Sequence, residues 1–150
     1  MSETKRPPAT RAPWHLWLVG ILALLWSAVG AMDYVMTETK NEAYLSGYTP
    51  ELVAFVYGLP AWVIAAWAIG VWGGVVGSLL LLARRRLAVP VFLASLLGMV
   101  VTTFHNYLLS DGLKVMGDAA SLGITAVILV IGLGLFLYAR AMRQRGILRR

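Results

Sequence analysis

Four long apolar runs alternate with shorter polar segments along the chain. Each run holds about 20 residues, and the charged side chains lie in the segments between the runs. A helix rises about 1.5 Å per residue, so a run of this length crosses a hydrocarbon core of about 30 Å. We therefore predict an all-α, integral membrane four-helix bundle within residues 14–145, with transmembrane helices at residues 14–32, 59–82, 89–109 and 119–138.

Two of the polar segments carry local structural information. Residues 1–13 are polar and rich in proline, which predicts a disordered tail. After the first apolar run, Thr49 is followed by Pro50 and Glu51. This order is typical of a helix start, because it supplies a capping hydroxyl, a proline at the first helical position and an acid in the first turn. It predicts a short interfacial helix over residues 50–58 in the first outer loop.

The composition agrees with a membrane protein and excludes several kinds of chemistry. The chain is 59% hydrophobic and 13% charged, with a mean hydropathy of +0.75. An ordinary soluble domain has about 45–50% apolar and about 25% charged residues. The sequence contains no cysteine. Disulfides, thiolate metal sites and cysteine nucleophiles are therefore excluded.

Basic residues are concentrated on one predicted side of the membrane. Four spans place both tails, including the basic tail at residues 146–150, on the same side as the loop after the second run, and this side holds eleven of the 13 basic residues. The positive-inside rule assigns it to the cytoplasm. Short basic clusters between apolar runs do not form the basic face that nucleic acid requires, so the predicted partner is the lipid bilayer. The arginines assigned to topology and to contact with anionic lipid are Arg84, Arg85, Arg86, Arg140, Arg143 and Arg145.

Small residues recur at four-residue spacing in the second and third runs. Helices in lipid associate through close backbone approach, so small side chains mark packing surfaces. The stripe in the second run is either a face for dimerisation or a face packed inside the bundle. We favour internal packing, because a four-span protein needs such faces between its own helices. The predicted helix-packing residues are Ala66, Gly70, Gly73, Gly74, Gly77 and Ser78 in the second run, and Ala94 and Gly98 in the third.

Polar residues near the outer ends of two runs form a candidate site. His105 is an ionisable side chain within an apolar run, and such residues are candidates for function. Its place near the outer end of the third run favours a simpler interpretation, a hydrogen-bonded histidine at the interface. The candidate polar site consists of Asp33, Thr102, His105 and Asn106.

Neither a metal nor a cofactor is predicted. One histidine with scattered carboxylates is a weak indication of a metal site. The other histidine, His15, lies at the inner end of the first run, whereas His105 lies near the outer end of the third. The two are separated by roughly 25 Å along the membrane normal, which excludes a haem ligated by both.

Six stretches of the chain share a pattern with known proteins: Leu24 to Ser27, Gly30 to Tyr34, Met36-Thr37, Pro60 to Trp62, Ala66 to Ala68, and Gly77 to Leu82 followed by arginines. They resemble an uncharacterised family of small four-span proteobacterial inner-membrane proteins, whose members are often automatically labelled sugar transporters. The resemblance covers roughly residues 14–110. It implies four spans and a bacterial inner membrane, and it implies no catalytic residues.

The sequence favours a non-enzymatic function. The common catalytic motifs are absent, and no apolar run carries an Asp, Glu, Lys or Arg at mid-membrane, where a coupled transporter usually needs one. The first hypothesis is an accessory or oligomer-forming membrane protein that acts as a homo-oligomer or within a larger membrane complex. The alternative is a small-solute transporter of the sugar type, with a path lined by the candidate polar site.

Overall fold

The computed structural model describes residues 11–150, so most of the predicted amino-terminal tail lies outside the described residues. Four of the helices in this range are long and apolar enough to cross a membrane, which confirms the predicted all-α four-helix bundle. A π-helical turn (His105–Leu109) continues α5. The α-helices are α1 (Trp14–Glu38), α2 (Glu42–Leu45), α3 (Pro50–Tyr57), α4 (Ala61–Leu82), α5 (Ala88–Phe104), α6 (Gly112–Met116) and α7 (Ala119–Gln144).

The first membrane helix is longer than predicted. We expected it to end at residue 32, but α1 continues through Asp33 to Glu38. A polar residue does not end a helix when its side chain lies at or beyond the membrane surface, where water or other polar groups solvate it. The extension carries Asp33 on a regular helical turn and projects it toward the connecting segment between α1 and α4.

The residues at which α3 and α7 begin are set by side-chain capping hydrogen bonds. The predicted start at Pro50 is present, and the Leu52 amide donates a hydrogen bond of 3.2 Å to the Thr49 hydroxyl. Pro60 precedes α4 and does not kink it, because α4 begins at the next residue. At the last helix, Asp118 caps α7 by accepting a hydrogen bond of 3.1 Å from the Ser121 amide.

The four long helices are arranged in a curved row. α1 packs on α4, α4 packs on α5, and α5 packs on α7. Consecutive long helices run in opposite directions, so the chain has two distinct ends. The basic end contains the start of α1, the connection between α4 and α5, and the end of α7, and it carries the arginines. The acidic end contains the connections that include α2, α3 and α6.

The small residues of α4 are covered by neighbouring helices of the same chain. Gly70, Gly74 and Gly77 are buried, and an added Cβ atom would lie 2.7 Å from Met99, 2.8 Å from Ser27 and 2.7 Å from Phe92, respectively. Those neighbours belong to α5 and α1. Gly73 faces Ser95 in the same way, and Ser78 is fully buried. The stripe therefore lies inside the bundle, where the favoured interpretation put it.

The closest approach of two helices involves Gly98 of α5. A Cβ atom at this position would lie 2.5 Å from the carbonyl oxygen of Ala66 and 2.8 Å from the amide nitrogen of Gly70, both on α4. The neighbouring Ser95 hydroxyl donates a hydrogen bond of 2.5 Å to the Gly70 carbonyl oxygen. Backbone atoms cannot rotate away as side-chain atoms do, so this contact requires glycine.

Ala94, which was also predicted to be a packing residue, lies outside the surface where the helices of this chain pack. The side chain is exposed, whereas Gly98 and Thr102 on the same helix are buried. Four residues turn an α-helix by about 400°, so each four-residue step moves the side chain about 40° around the axis. The small residues at four-residue spacing on α5 therefore face α4 at Gly98 but no longer do so at Ala94.

The basic end is closed by an apolar core. The end of α7 reaches a left-handed Gly146 (φ 73°), where the Ile147 amide donates to the Met142 carbonyl and the Gly146 amide donates to the Arg143 carbonyl. This is a Schellman motif, which glycine favours at that position. The predicted basic tail then folds back, so that Ile147 is 4% exposed and Leu148 is 1% exposed. The core is formed by Leu16, Leu81, Ala88, Val89, Phe92, Ala139, Met142, Ile147 and Leu148.

Substitution of Gly98 by alanine is expected to destabilise the bundle by about 1–3 kcal/mol, because α4 and α5 must move apart to accept the new methyl group. The matched control is Gly134→Ala on α7, where an added Cβ would meet nothing within 4 Å. That change should be neutral or stabilising by up to about 1 kcal/mol through helix propensity. Thermal unfolding of both variants in the same detergent measures the difference, and equal stabilities would contradict the proposed contact.

Candidate functional site

Two cavities meet near the acidic end, and Asp33 lines both. The outer pocket has a volume of about 220 Å³ and lies beneath the segment that contains α2 and α3. The second cavity, which we call the groove, has a volume of about 350 Å³ and lies between α1 and α7 within the apolar part of the bundle. Tyr48 also lines both cavities. The Asp33 carboxylate is therefore at the junction of the two cavities.

Two tyrosines hold the Asp33 carboxylate. The Tyr44 hydroxyl donates a hydrogen bond of 2.5 Å to Asp33 Oδ1, and the Tyr48 hydroxyl lies 2.9 Å from the same oxygen. The two hydroxyl groups are 3.1 Å apart, and the rings are in edge-to-face contact with centroids 5.6 Å apart. Hydrogen bonds to a charged acceptor are stronger than those between neutral groups. We refer to Asp33, Tyr44 and Tyr48 as the tyrosine–aspartate cluster.

The carboxylate also changes the acidity of the tyrosines. The hydrogen bond to Asp33 raises the pKa of Tyr44 well above the ordinary value of tyrosine, and the hydrogen bond to Tyr48 and burial act in the same direction. Burial raises the pKa of Tyr48, and the interaction with Tyr44 partly opposes this effect. Both residues therefore remain protonated at neutral pH and act as donors toward the carboxylate.

The backbone after α1 brings the tyrosines back to Asp33. Lys40 adopts a left-handed conformation (φ 55°) that ends α1, and the Asn41 amide donates to the Met36 carbonyl oxygen. Asn41 then caps α2, because its side chain accepts a hydrogen bond of 3.0 Å from the Tyr44 amide. This reversal places Tyr44 opposite the last turns of α1, at hydrogen-bonding distance from Asp33.

The outer pocket contains three of the four residues predicted for the polar site. Asp33, Thr102 and Asn106 line it together. The Thr102 hydroxyl donates a hydrogen bond of 2.8 Å to the Gly98 carbonyl of its own helix, so it is already satisfied. Asn106 belongs to the π-helical turn, a type of distortion that is frequent at functional sites. The remaining wall is apolar and is formed mainly by Leu45, Leu52, Val53, Phe55, Val56, Leu59, Trp67 and Met116.

His105, the fourth predicted residue, lines neither cavity. It is buried, its ring is in edge-to-face contact with Trp62 at 5.3 Å, and its Nδ1 atom lies 3.2 Å from Asn106 Oδ1. The structure therefore places His105 behind the pocket wall, in the setting of a structural histidine. Within residues 11–150, no group of three or more His, Asp or Glu side chains is arranged to hold a metal ion.

The other histidine lies at the opposite end of the bundle. His15 Nδ1 is 2.5 Å from the Tyr138 hydroxyl, which joins the start of α1 to the last turns of α7. The rings are in edge-to-face contact, with centroids 5.7 Å apart. His15 and His105 thus belong to different ends, as the expected topology required, and do not face a common ligand.

The groove has apolar walls and one charged residue. All four membrane helices line it together with Tyr44 of α2 and Tyr48, and the α7 side consists of Ile124, Ile128, Ile131, Gly132 and Leu135. Among the described residues that line either cavity, Asp33 is the only charged one. α1 and α7 meet at His15 and Tyr138, and the groove lies between them nearer the acidic end.

Sequence reasoning identified Asp33 but missed the two tyrosines that hold it. Tyr44 and Tyr48 lie eleven and 15 positions along the chain from Asp33, and their approach depends on the backbone reversal after α1. Several aromatic residues occur in the same polar segment. An unusual density of tyrosine next to an acid at a membrane boundary is the pattern that could have identified the cluster.

Comparison of the chain with protein-family models, curated proteins and solved structures finds no match. The resemblance to a proteobacterial membrane family therefore stays a prediction from the sequence.

Replacing Asp33 with asparagine is expected to lower the pKa of Tyr44 toward the ordinary tyrosine value, because the hydrogen bond to the carboxylate is the largest cause of its elevation. The stabilisation from this bond is complete below the ordinary tyrosine pKa and is lost as the pH rises through the elevated one. NMR titration of tyrosine Cζ resonances in micelles measures the shift. Glu38→Gln on the same helix is the control, and an unchanged titration of Tyr44 in Asp33→Asn would contradict the prediction.

Proposed function

We propose that this chain is a non-enzymatic, multi-pass protein of the bacterial cytoplasmic membrane that binds a small amphiphilic molecule in the groove between α1 and α7. One observation carries the proposal: Asp33, held by two tyrosine hydroxyls, lies where an apolar intramembrane groove meets an outer pocket that Thr102 and Asn106 also line. A molecule with an apolar tail and a polar head fits such a junction.

The charge at the junction favours a head group with an amine. Asp33 supplies one negative charge, and no described Lys or Arg lines either cavity. A phosphate or carboxylate head group would meet this carboxylate without a cation among the lining residues, whereas an ammonium group would neutralise it. Tyr44 and Tyr48 add aromatic faces, to which cations are attracted. The preferred ligand class is therefore an amine-headed amphiphile without a phosphate.

The size and wall chemistry of the groove agree with a ligand of this kind. Cavities that bind small molecules commonly measure about 300–1,000 Å³ and have mostly apolar walls with a few polar groups. The groove of about 350 Å³ lies at the lower end of this range and continues toward the outer pocket of about 220 Å³. A single alkyl chain of moderate length suits these dimensions better than a two-chain phospholipid.

The protonation of the two tyrosines and the position of His105 favour binding over catalysis. Tyr44 and Tyr48 have raised pKa values, so they hold the carboxylate as neutral donors instead of acting as bases. His105 packs against Trp62 outside both cavities. An accessory role, in which bound ligand changes how the bundle meets a partner or a second copy, fits these features. The exposed apolar side chains of α7 are the surface that such a partner would cover.

Photo-crosslinking with an alkylamine tests the ligand class. A photoactivatable dodecylamine should label peptides from α1 and α7 in protein reconstituted in nanodiscs, and unlabelled dodecylamine should compete. Asp33→Asn should weaken the competition about tenfold or more, because it removes the charge that pairs with the ammonium group. Glu38→Gln, on the same helix but outside both cavities, should leave labelling unchanged.

Head-group selectivity decides whether the groove is a site or merely holds bulk lipid. Dodecanol and dodecanoate should compete much less well than dodecylamine with the wild-type protein. Equal competition by all three compounds, or labelling that ignores Asp33→Asn, would contradict the proposed binding function.

A small-solute transporter is the second candidate. Asp33, Thr102 and Asn106 line one pocket that is reached from the acidic end, which is the observation in its favour. Leu16, Leu81 and Leu148 are fully or almost fully buried at the basic end, so transport would require this core to open. Proteoliposomes should then show saturable uptake of a labelled monosaccharide that Asn106→Leu abolishes and Glu38→Gln preserves. Identical uptake by protein-free vesicles would eliminate this candidate.

A further inference from the structure

The basic end contains a short backbone pairing that joins two distant arginine clusters. The Arg86 amide donates a hydrogen bond of 2.7 Å to the Arg149 carbonyl, and the Arg149 amide donates one of 2.6 Å to the Arg84 carbonyl. These bonds form a parallel bridge between Arg85 and Arg149. We call the paired segments, residues 84–86 and 147–150, the arginine bridge.

Apolar burial and side-chain hydrogen bonds fix the arginine bridge. Ile147 and Leu148 are buried in the core at this end. The Arg84 Nε atom donates to the Ile147 carbonyl at 3.2 Å, and the Arg86 Nε atom donates to the Leu148 carbonyl at 3.2 Å. The segment at residues 147–150 is therefore held against the loop between α4 and α5.

The pairing brings like charges together. Arg85 and Arg149 are exposed, and paired strands lie about 4.8 Å apart with bridged side chains on the same face. Arg150 is exposed beside them. Between residues 11 and 150, every Asp and Glu belongs to the segments nearer the acidic end. Among the described side chains, this end therefore carries guanidinium groups in excess of carboxylates, which favours an anionic ligand.

The neighbouring surface places this charge at the level of lipid head groups. Leu87, which follows the arginine bridge in the loop, is 60% exposed, and Trp14 at the start of α1 is 75% exposed. Exposed apolar and indole side chains next to arginines, at the ends of membrane helices, are typical of the bilayer interface. The anion available at that depth is a phospholipid phosphate.

We infer that the arginine bridge is a binding site for an anionic phospholipid, with a preference for a lipid that carries two phosphates, such as cardiolipin. Guanidinium groups bind phosphate through paired hydrogen bonds, and the backbone bridge brings Arg85 and Arg149, which each carry such a group, opposite each other. A lipid with two phosphates can neutralise both arginines at once, whereas phosphatidylglycerol offers one phosphate. The site is independent of the groove, since it lies at the opposite end of the bundle.

Lipid retention in native mass spectrometry tests this site on the full chain. The wild-type protein should bind cardiolipin more tightly than phosphatidylglycerol, and both more tightly than phosphatidylcholine. Each guanidinium–phosphate pair contributes at least about tenfold in affinity, so the double variant Arg85→Gln/Arg149→Gln should lose at least about 100-fold. Millimolar inorganic phosphate or pyrophosphate should not displace the lipid, which separates a lipid site from a site for free phosphate.

A charge-matched variant separates a built site from general electrostatic attraction. Arg140→Gln/Arg143→Gln removes two exposed charges from the last turns of α7 and leaves the arginine bridge intact. It should lose much less cardiolipin affinity than the bridge variant. Equal losses in the two double variants would overturn the inference, as would displacement by pyrophosphate.

A conservative variant separates a loss of lipid binding from a loss of folding. Arg85→Lys/Arg149→Lys retains the charge but not the planar guanidinium group, so it should keep the wild-type melting temperature and lose the preference for cardiolipin over phosphatidylglycerol. If this variant melts like the wild type and retains the full preference, paired phosphate recognition is wrong.

Discussion

The structure depends on the close approach of α4 and α5. Helices in lipid gain no hydrophobic free energy by associating, so they are held by packing and by hydrogen bonds between them. Gly98 permits the backbones to meet, and Ser95 adds a hydrogen bond to the Gly70 carbonyl. α1 then packs on the other side of α4, and α7 packs on α5. The central pair thus sets the distance across which α1 and α7 face each other, and with it the width of the groove.

The two ends of the bundle differ in a way that follows from this arrangement. At the basic end, His15 and Tyr138 join the outer helices, and Leu148 fills the core beneath them. Toward the acidic end the groove lies between the outer helices, and the segment with α2 and α3 lies over the outer pocket. The basic end is therefore closed by apolar packing, whereas the acidic end contains the Asp33 carboxylate and the two tyrosines that are hydrogen-bonded to it. This polarity gives a bound amphiphile one preferred direction.

The sequence was sufficient to predict the four membrane helices, because each apolar run is long enough to identify a span by itself. It also identified Asp33, Thr102 and Asn106 as polar residues near one membrane surface, and these share a pocket. It did not reveal the tyrosine–aspartate cluster, since the approach of Tyr44 depends on the backbone reversal at Lys40. The docking of residues 147–150 was also missed. Two apolar residues among arginines have no periodicity, and their burial depends on the distant loop at residues 84–86.

The weak lateral support of α7 makes the groove sensitive to membrane thickness. The apolar part of α7, residues 119–138, is about 30 Å long and matches a hydrocarbon core of about 30 Å, so a thinner bilayer would make the helix tilt. Its basic end is fixed by Tyr138 and by the core, whereas the part nearer the acidic end is exposed along most of its surface. A thicker bilayer favours a more upright helix. Since α7 forms one wall of the groove, its angle to the membrane normal couples the space beside Asp33 to the mechanical state of the surrounding lipid.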